Sequence, residues 1–204
     1  MNCFQIVSTV LDEIYQDIPG DCEKTKDHHV RTALDYLSQK YARLLQDDKP
    51  INYADPVNRF AYVYSYVTCH ANLVASRLAE SSVLSNLFEQ SKVNIACVGG
   101  GPGSDFLGIL KFMMQTCKKA TVKCYLLDGE ERWGESWGDV DNKIDPTFRI
   151  STHFQRMNVI EPASWVGSQK FVRQSDLITL TYFMSELCMQ KPLAEPYFNN
   201  MIEQ

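Results

Sequence analysis

The sequence predicts an α/β fold in which a parallel sheet is wound with crossover helices and preceded by a helical cap. Three observations predict it. Apolar residues recur at helical spacing through residues 1–90. From residue 92 short apolar runs alternate with helical ones. Between the first such run and its helix stands a turn of four glycines and one proline, Gly99, Gly100, Gly101, Pro102 and Gly103.

The cap reads as helices from end to end. Val7, Val10, Leu11, Ile14, Tyr15 and Ile18 form one stripe, which Pro19-Gly20 closes. Val30, Ala33, Leu34, Leu37, Tyr41, Leu44 and Leu45 form a second, ending before Lys49-Pro50. A third helix opens on Asp55-Pro56, an N-cap followed by a proline at the first helical position, and runs through Phe60, Val63, Tyr64 and Val67 to Leu78. Ser81 or Ser82 is placed to cap a short fourth helix ending near Gln90.

The second part, 91–204, carries the alternation. "KVNIACV" is a buried strand and "GSDFLGILKFMMQTC" a helix that packs Phe106, Leu107, Ile109, Leu110, Met113 and Met114 inward. "TVKCYLLD" is a second strand, "EERWGESWGDV" a Trp-bearing helix, "RISTHFQRM" a weaker strand and "DLITLTYF" a clear apolar one. Neither an internal repeat nor a low-complexity linker separates cap from sheet, so the two are expected to form one compact unit.

Composition narrows the function classes. The 204 residues carry a formal net charge of −5, which provides no global attraction to nucleic acid. Lys118, Lys119 and Lys123 flank a helix-to-strand turn and read as a solvated rim. No apolar run is long enough to span a membrane, and the N-terminus carries acids within its apolar pattern, so the expected location is cytoplasmic or nuclear, with no membrane partner. Seven cysteines are scattered without a C-x-x-C pair. They read as reduced thiols serving as small buried hydrophobes, not as a disulfide frame or a metal site. None of the four histidines stands in a metal-ligand pattern.

The glycine turn is where chemistry is expected. In a parallel α/β sheet ligands gather at the carboxyl ends of the strands, and the first strand-to-helix turn faces that crevice. Glycines let main-chain atoms approach a ligand, and the following helix offers unpaired N–H groups. Asp128 ends the second strand, where a carboxylate can accept hydrogen bonds from both ribose hydroxyls of an adenosine. The competing reading is a tight turn and an acid that only caps the next helix. The dinucleotide pattern G-x-G-x-x-G fails in both registers, meeting Ser104 or Phe106 where its third glycine belongs. G-x-G-x-G is satisfied by Gly99, Gly101 and Gly103.

Here the sequence resembles the class I S-adenosylmethionine-dependent methyltransferases, over roughly residues 92–190. "ACVGGGPGSD" looks like their first motif, "CYLLDGE" like the acidic end of their second strand, "QRMNVIEP" like the segment after the third, and "DLITLTYFMSEL" like the fourth strand and its exit loop. The resemblance implies a Rossmann-like sheet of strand order 3-2-1-4 that binds S-adenosylmethionine and releases S-adenosylhomocysteine. Gly99, Gly101 and Gly103, with Gly100 and Pro102 between them, would pass beneath the methionine and ribose. Asp128 would hold the ribose, Asn158 and Val159 would lie by the adenine, and Thr181 and Tyr182 would sit beneath the sulfonium.

The chain departs from the family pattern in several places. Cys97 stands where an acid is usual, which passes the hold on the ammonium group to Asp105. Gly129 replaces the bulky apolar residue that covers the adenine, a surface that Met157 or Trp133 would then supply, and Asn158 replaces a common aspartate. The family's last strands are not found after the fourth, so this stretch reads as a fragment or short form, or as a sheet whose bare edge is covered by a partner chain or a second copy.

Catalytic residues are hard to read from sequence, because the cofactor provides the electrophile and the protein mainly aligns donor and acceptor. Ser185 and Glu186 lie near the exit loop, where Glu186 is either a general base or part of a helix cap. In the cap, Arg59, Tyr62 and Tyr66 lie near one helical face. Arg59 is a candidate for the cofactor carboxylate and the tyrosines for an acceptor pocket, with amphipathic packing as the competing reading. Trp133 and Trp137 are expected to pack, not to stack on bases. The expected activity is methyl transfer to a protein, an RNA or a small molecule. The alternatives are a non-catalytic methyltransferase-like binding or interaction module and, last, an NAD-dependent oxidoreductase.

Overall fold

A computed structural model describes residues 3–43, 50–142, 144, 146–184, 187 and 191–202. Helices α1 (Cys3–Asp17), α2 (Glu23–Ala42), α3 (Pro56–Tyr62), α4 (Thr68–Glu80) and α5 (Ser82–Leu87) form the cap. There follow β1 (Lys92–Val98), α6 (Ser104–Gln115), β2 (Thr121–Asp128), α7 (Arg132–Asn142), β3 (Ile150–Arg156), α8 (Pro162–Val166), α9 (Gln169–Arg173), β4 (Leu177–Thr179) and α10 (Lys191–Ile202). The four strands form one all-parallel sheet of order β3-β2-β1-β4, the Rossmann-like order expected from the sequence.

Period-two alternation along the strands sorts their side chains into two cores. Val93, Ile95 and Cys97 of β1 and Val122, Cys124 and Leu126 of β2 face one side. There they join Val10 of α1, Ala71 of α4 and Leu107 and Leu110 of α6. Ala96, Val98, Tyr125 and Leu127 face the other side and meet Trp165, Val172, Leu187 and Tyr197. Helices therefore cover both faces, as an all-parallel sheet requires. A third, smaller core of Ile18, Ala33, Leu37, Val57 and Ala61 lies within the cap.

The cap is joined tightly to the sheet. A Cβ on Gly108 would stand 2.5 Å from the Ala71 carbonyl oxygen and 2.8 Å from Val74 Cβ, so α4 and α6 approach to a distance that admits no side chain between them.

The helix starts follow the sequence signals. Asp55 Oδ1 accepts the Val57 amide at 2.9 Å ahead of Pro56, and Ser81 Oγ accepts the Leu84 amide at 3.3 Å. Two features differ from the sequence expectation. The stripe from Pro56 to Leu78 is not a single α-helix: a π-helical stretch, Val63–Val67, lies between α3 and α4. The strand expected over "DLITLTYF" is only three residues long, because the chain turns at Thr181 and Tyr182 adopts a left-handed φ of 59°. Leu44 and Leu45 of the second stripe lie outside the described residues.

Candidate ligand crevice

The glycine bend joins β1 to α6, and three of its residues need what only glycine gives without strain: φ is 65° at Gly99, 49° at Gly101 and 85° at Gly103. Two of them also meet neighbours of the chain itself. A Cβ on Gly99 would stand 2.1 Å from Phe183 Cδ2, and one on Gly103 would stand 2.1 Å from Trp137 Cε3. Close approach is therefore real at this bend, and what approaches Gly99 and Gly103 is aromatic side chain. Trp133 comes within 4.0 Å of where a Cβ of Gly101 would lie, and Gly100 and Pro102 are buried.

Asp128, at the end of β2, faces the bend. Its Oδ2 accepts the Gly101 amide at 2.8 Å and its Oδ1 accepts the Glu130 amide at 3.0 Å. Burial pushes its pKa up to about 6, against the pull of these backbone donors. Two bonds leave acceptor capacity on a carboxylate, so a ligand hydroxyl can still be received there. The acid thus braces the bend and starts the next turn, the two roles that local chemistry alone would give it.

Beside it lies a cavity of about 150 Å³, lined by Gly99, Asp128, Gly129, Met157, Asn158, Val159, Phe183 and Leu187. The carboxyl ends of β1, β2 and β3 and the segment after β4 bring these residues together. Met157 is held there by its amide, which donates to the Asp128 carbonyl at 2.7 Å. Asn158 is fixed in turn: its amide donates to Ser164 Oγ at 2.8 Å, its side-chain nitrogen donates to Glu161 Oε1 at 2.8 Å, and its side-chain oxygen accepts the Ile160 amide at 3.2 Å. A Cβ on Gly129 would meet Asn158 at ordinary van der Waals distance, its Cα and Cβ standing 3.7 Å away.

No family model, curated protein or solved structure matches this chain. The crevice is therefore read from its own geometry.

Asp105, in the first turn of α6, is the second acid of the region and is only 3 % exposed. Its Oδ2 makes no hydrogen bond among the described residues, nor does the nearby Thr179 Oγ1. Burial raises its pKa to about 6, while the Thr179 and Thr181 hydroxyls and the Thr181 amide pull it down. An unpaired, buried carboxylate oxygen in this first turn suits a cationic ligand group. Cys97 is buried on β1 with its Sγ 3.7 Å from Cys124 Sγ, so this position belongs to the apolar interior.

Arg59 is buried but does not line the cavity. Its Nη1 donates to the Tyr53 and Ala54 carbonyls at 3.0 and 2.8 Å, stapling the segment before α3. The tyrosines take part in an aromatic cluster that continues onto the sheet. Tyr62 meets Tyr66 at 5.3 Å and Trp133 at 5.4 Å between ring centroids, and Tyr66 lies along His70 at 5.7 Å. His70 in turn stacks on Tyr182 at 4.1 Å and 17°. Burial drives the His70 pKa down to about 4, which keeps the ring neutral near pH 7.

Phe183, Leu187 and His70 are the functional candidates that sequence reasoning did not single out. Leu187 and Phe183 carried only apolar character, and His70 had no partner at a ligand spacing. Ser185 and Glu186 lie outside the described residues.

Proposed function

We propose that this chain binds S-adenosylmethionine at the carboxyl end of its sheet and transfers the methyl group. One observation carries the reading: Gly99, Asp128, Gly129, Asn158 and Val159, five residues expected to hold the cofactor, line one cavity. The unpaired Asp105 oxygen adds support, because the cofactor brings an ammonium and a sulfonium charge. When bound, S-adenosylmethionine supplies an electrophilic methyl group on sulfur.

The chain's own residues then have separable tasks. Asp128 receives ribose hydroxyls while keeping the bend closed through Gly101. Met157 and Val159 present apolar surface to the adenine, and Asn158 offers its remaining acceptor capacity. Asp105 meets the ammonium group, beside the Thr179 and Thr181 hydroxyls. A cavity of about 150 Å³ lies below the roughly 300–1,000 Å³ of ligand pockets, so the whole cofactor enters only when the Phe183 ring rotates off Gly99. The outer side of β4, where Ile178 is 40 % exposed and no strand pairs among the described residues, is the place for a partner chain or a second copy.

A second reading has support of its own. Phe183 and Trp137 already account for the bareness of Gly99 and Gly103, as they would in a non-catalytic methyltransferase-like protein. Titration calorimetry with S-adenosylmethionine, S-adenosylhomocysteine and NAD separates the two. Binding of the first two and not the third is expected, and silence for all three hands the chain to the second reading. Transfer of a labelled methyl group to fractionated cell extract then separates enzyme from binder. In a binding protein, Asp128→Ala is expected to weaken S-adenosylhomocysteine by about 1.5–3 kcal/mol, the scale of a hydrogen bond to a charged group. Unaltered affinity in a folded variant removes Asp128 from the site.

A further inference from the structure

The exit segment after β4 holds an unusual side chain. Tyr182 adopts φ 59°, a region that bulky residues avoid and whose occupants cluster at functional sites. The strain is not repaid by burial, since Tyr182 remains 52 % exposed. Its chain neighbours fix where it stands. Thr181 lies against the buried Asp105 carboxyl, and Phe183 lies on Gly99 at the bend, so Tyr182 is held between two residues anchored at the crevice, of which Phe183 lines the cavity. One face of its ring is laid on His70, and His70 is itself laid along Tyr66, at 17° and 25°. These three near-parallel rings form a stack that begins in the cap and ends in solvent. No other described ring stacks on Tyr182, and the half-exposed residue is the open end of the stack.

We propose that this stack is the platform for the methyl acceptor, and that the acceptor is a planar heteroaromatic ring which adds to Tyr182 as the next layer. The proposal rests on the methyltransferase reading for its purpose, although the platform itself can be tested without it. Parallel rings suit a flat, neutral partner, whereas an alkylammonium acceptor would call for rings set as the walls of a cage. His70 fits the same partner, because a buried neutral imidazole backs Tyr182 without placing a charge beneath the stack. A ring of this kind comes either as a free nucleoside or as an unpaired base in a single strand.

The probe is pyrrolocytosine, whose fluorescence falls on stacking, offered as the free ribonucleoside and within a single-stranded hexanucleotide. The full chain is titrated with each, without and with saturating S-adenosylhomocysteine. Saturable quenching by at least one form is expected, and the form that binds more tightly identifies the source of the ring. Tyr182→Leu, which keeps apolar bulk, is expected to weaken binding about fivefold or more, and Tyr182→Phe to restore it. Tyr64→Leu, on an exposed ring that stacks on Phe60, serves as control and should leave the titration unchanged. Absence of quenching with both forms, or equal affinity in Tyr182→Leu and the native chain, overturns the platform. Failure of S-adenosylhomocysteine to bind overturns the methyltransferase reading instead, and the titrations without it still decide the platform.

Discussion

At the residue scale Gly99 shows how one position can serve packing and ligand binding together. Its φ of 65° and the 2.1 Å approach of Phe183 Cδ2 to a built Cβ are independent obstacles to a side chain. Gly99→Ala is expected to destabilise the fold by about 2–4 kcal/mol in urea unfolding, combining left-handed strain with overpacking. In the Phe183→Ala background the same change should cost only about 1–2 kcal/mol, the strain alone. Equal costs in both backgrounds would show that Phe183 does not occupy the bend. Titration offers a second check, with opposite signs at two residues. His70 is depressed to about 4 in the fold, so the unfolded chain takes its proton first and stability falls as pH drops from about 6.5 to 4. Asp105 is raised to about 6, so its burial weakens the fold as pH rises from about 4 to 6. His70→Phe should flatten the first dependence, and Asp105→Asn should remove its own part of the second, which Asp128 shares, each by up to about 3 kcal/mol in unfolding experiments across pH 4–7. The glycines and Asp128 were legible in the sequence because their types and spacing are local. That Asp128 would bond the Gly101 amide, and that Phe183 would lie on Gly99, depends on how distant segments meet, which spacing does not encode.

The π-helical stretch is the feature to question at the element scale. Helical periodicity located the rod from Pro56 to Leu78 but could not reveal its interruption, since a single wide turn leaves the apolar stripe almost intact. Its effect is on phase: Tyr62 and Tyr66 precede or lie within Val63–Val67, and His70 follows it. Removing the exposed Ser65 should restore α-helical register and rotate Tyr62 about a quarter-turn or more away from His70. Far-UV circular dichroism should then be nearly unchanged while the near-UV aromatic signal collapses. Retention of both would mean that the edge contact of Tyr62 with His70 does not depend on the wide turn. The short β4 was missed for a related reason. "DLITLTYF" is rich in apolar and β-branched residues to its end, and nothing in that composition announces that Tyr182 will reverse the chain.

At the scale of the whole molecule, the division into cap and sheet was legible as a change of pattern near residue 91. Their union is visible only in three dimensions. Val10, Ala71 and Leu78 share one core with Ile95, Leu107 and Leu110, so the segment 91–204 alone would expose the cap-facing side of α6. Expressed by itself it should lack a cooperative thermal transition, whereas 1–204 should show one; a cooperative fold for the shorter piece would make the cap dispensable. The near-contact of Gly108 with the Ala71 carbonyl has a kinetic corollary. Two rods interlocked at main-chain distance cannot swing apart like a hinged door, so guest exchange should follow ring flips and local loop breathing, at nanoseconds to microseconds, instead of slow domain opening.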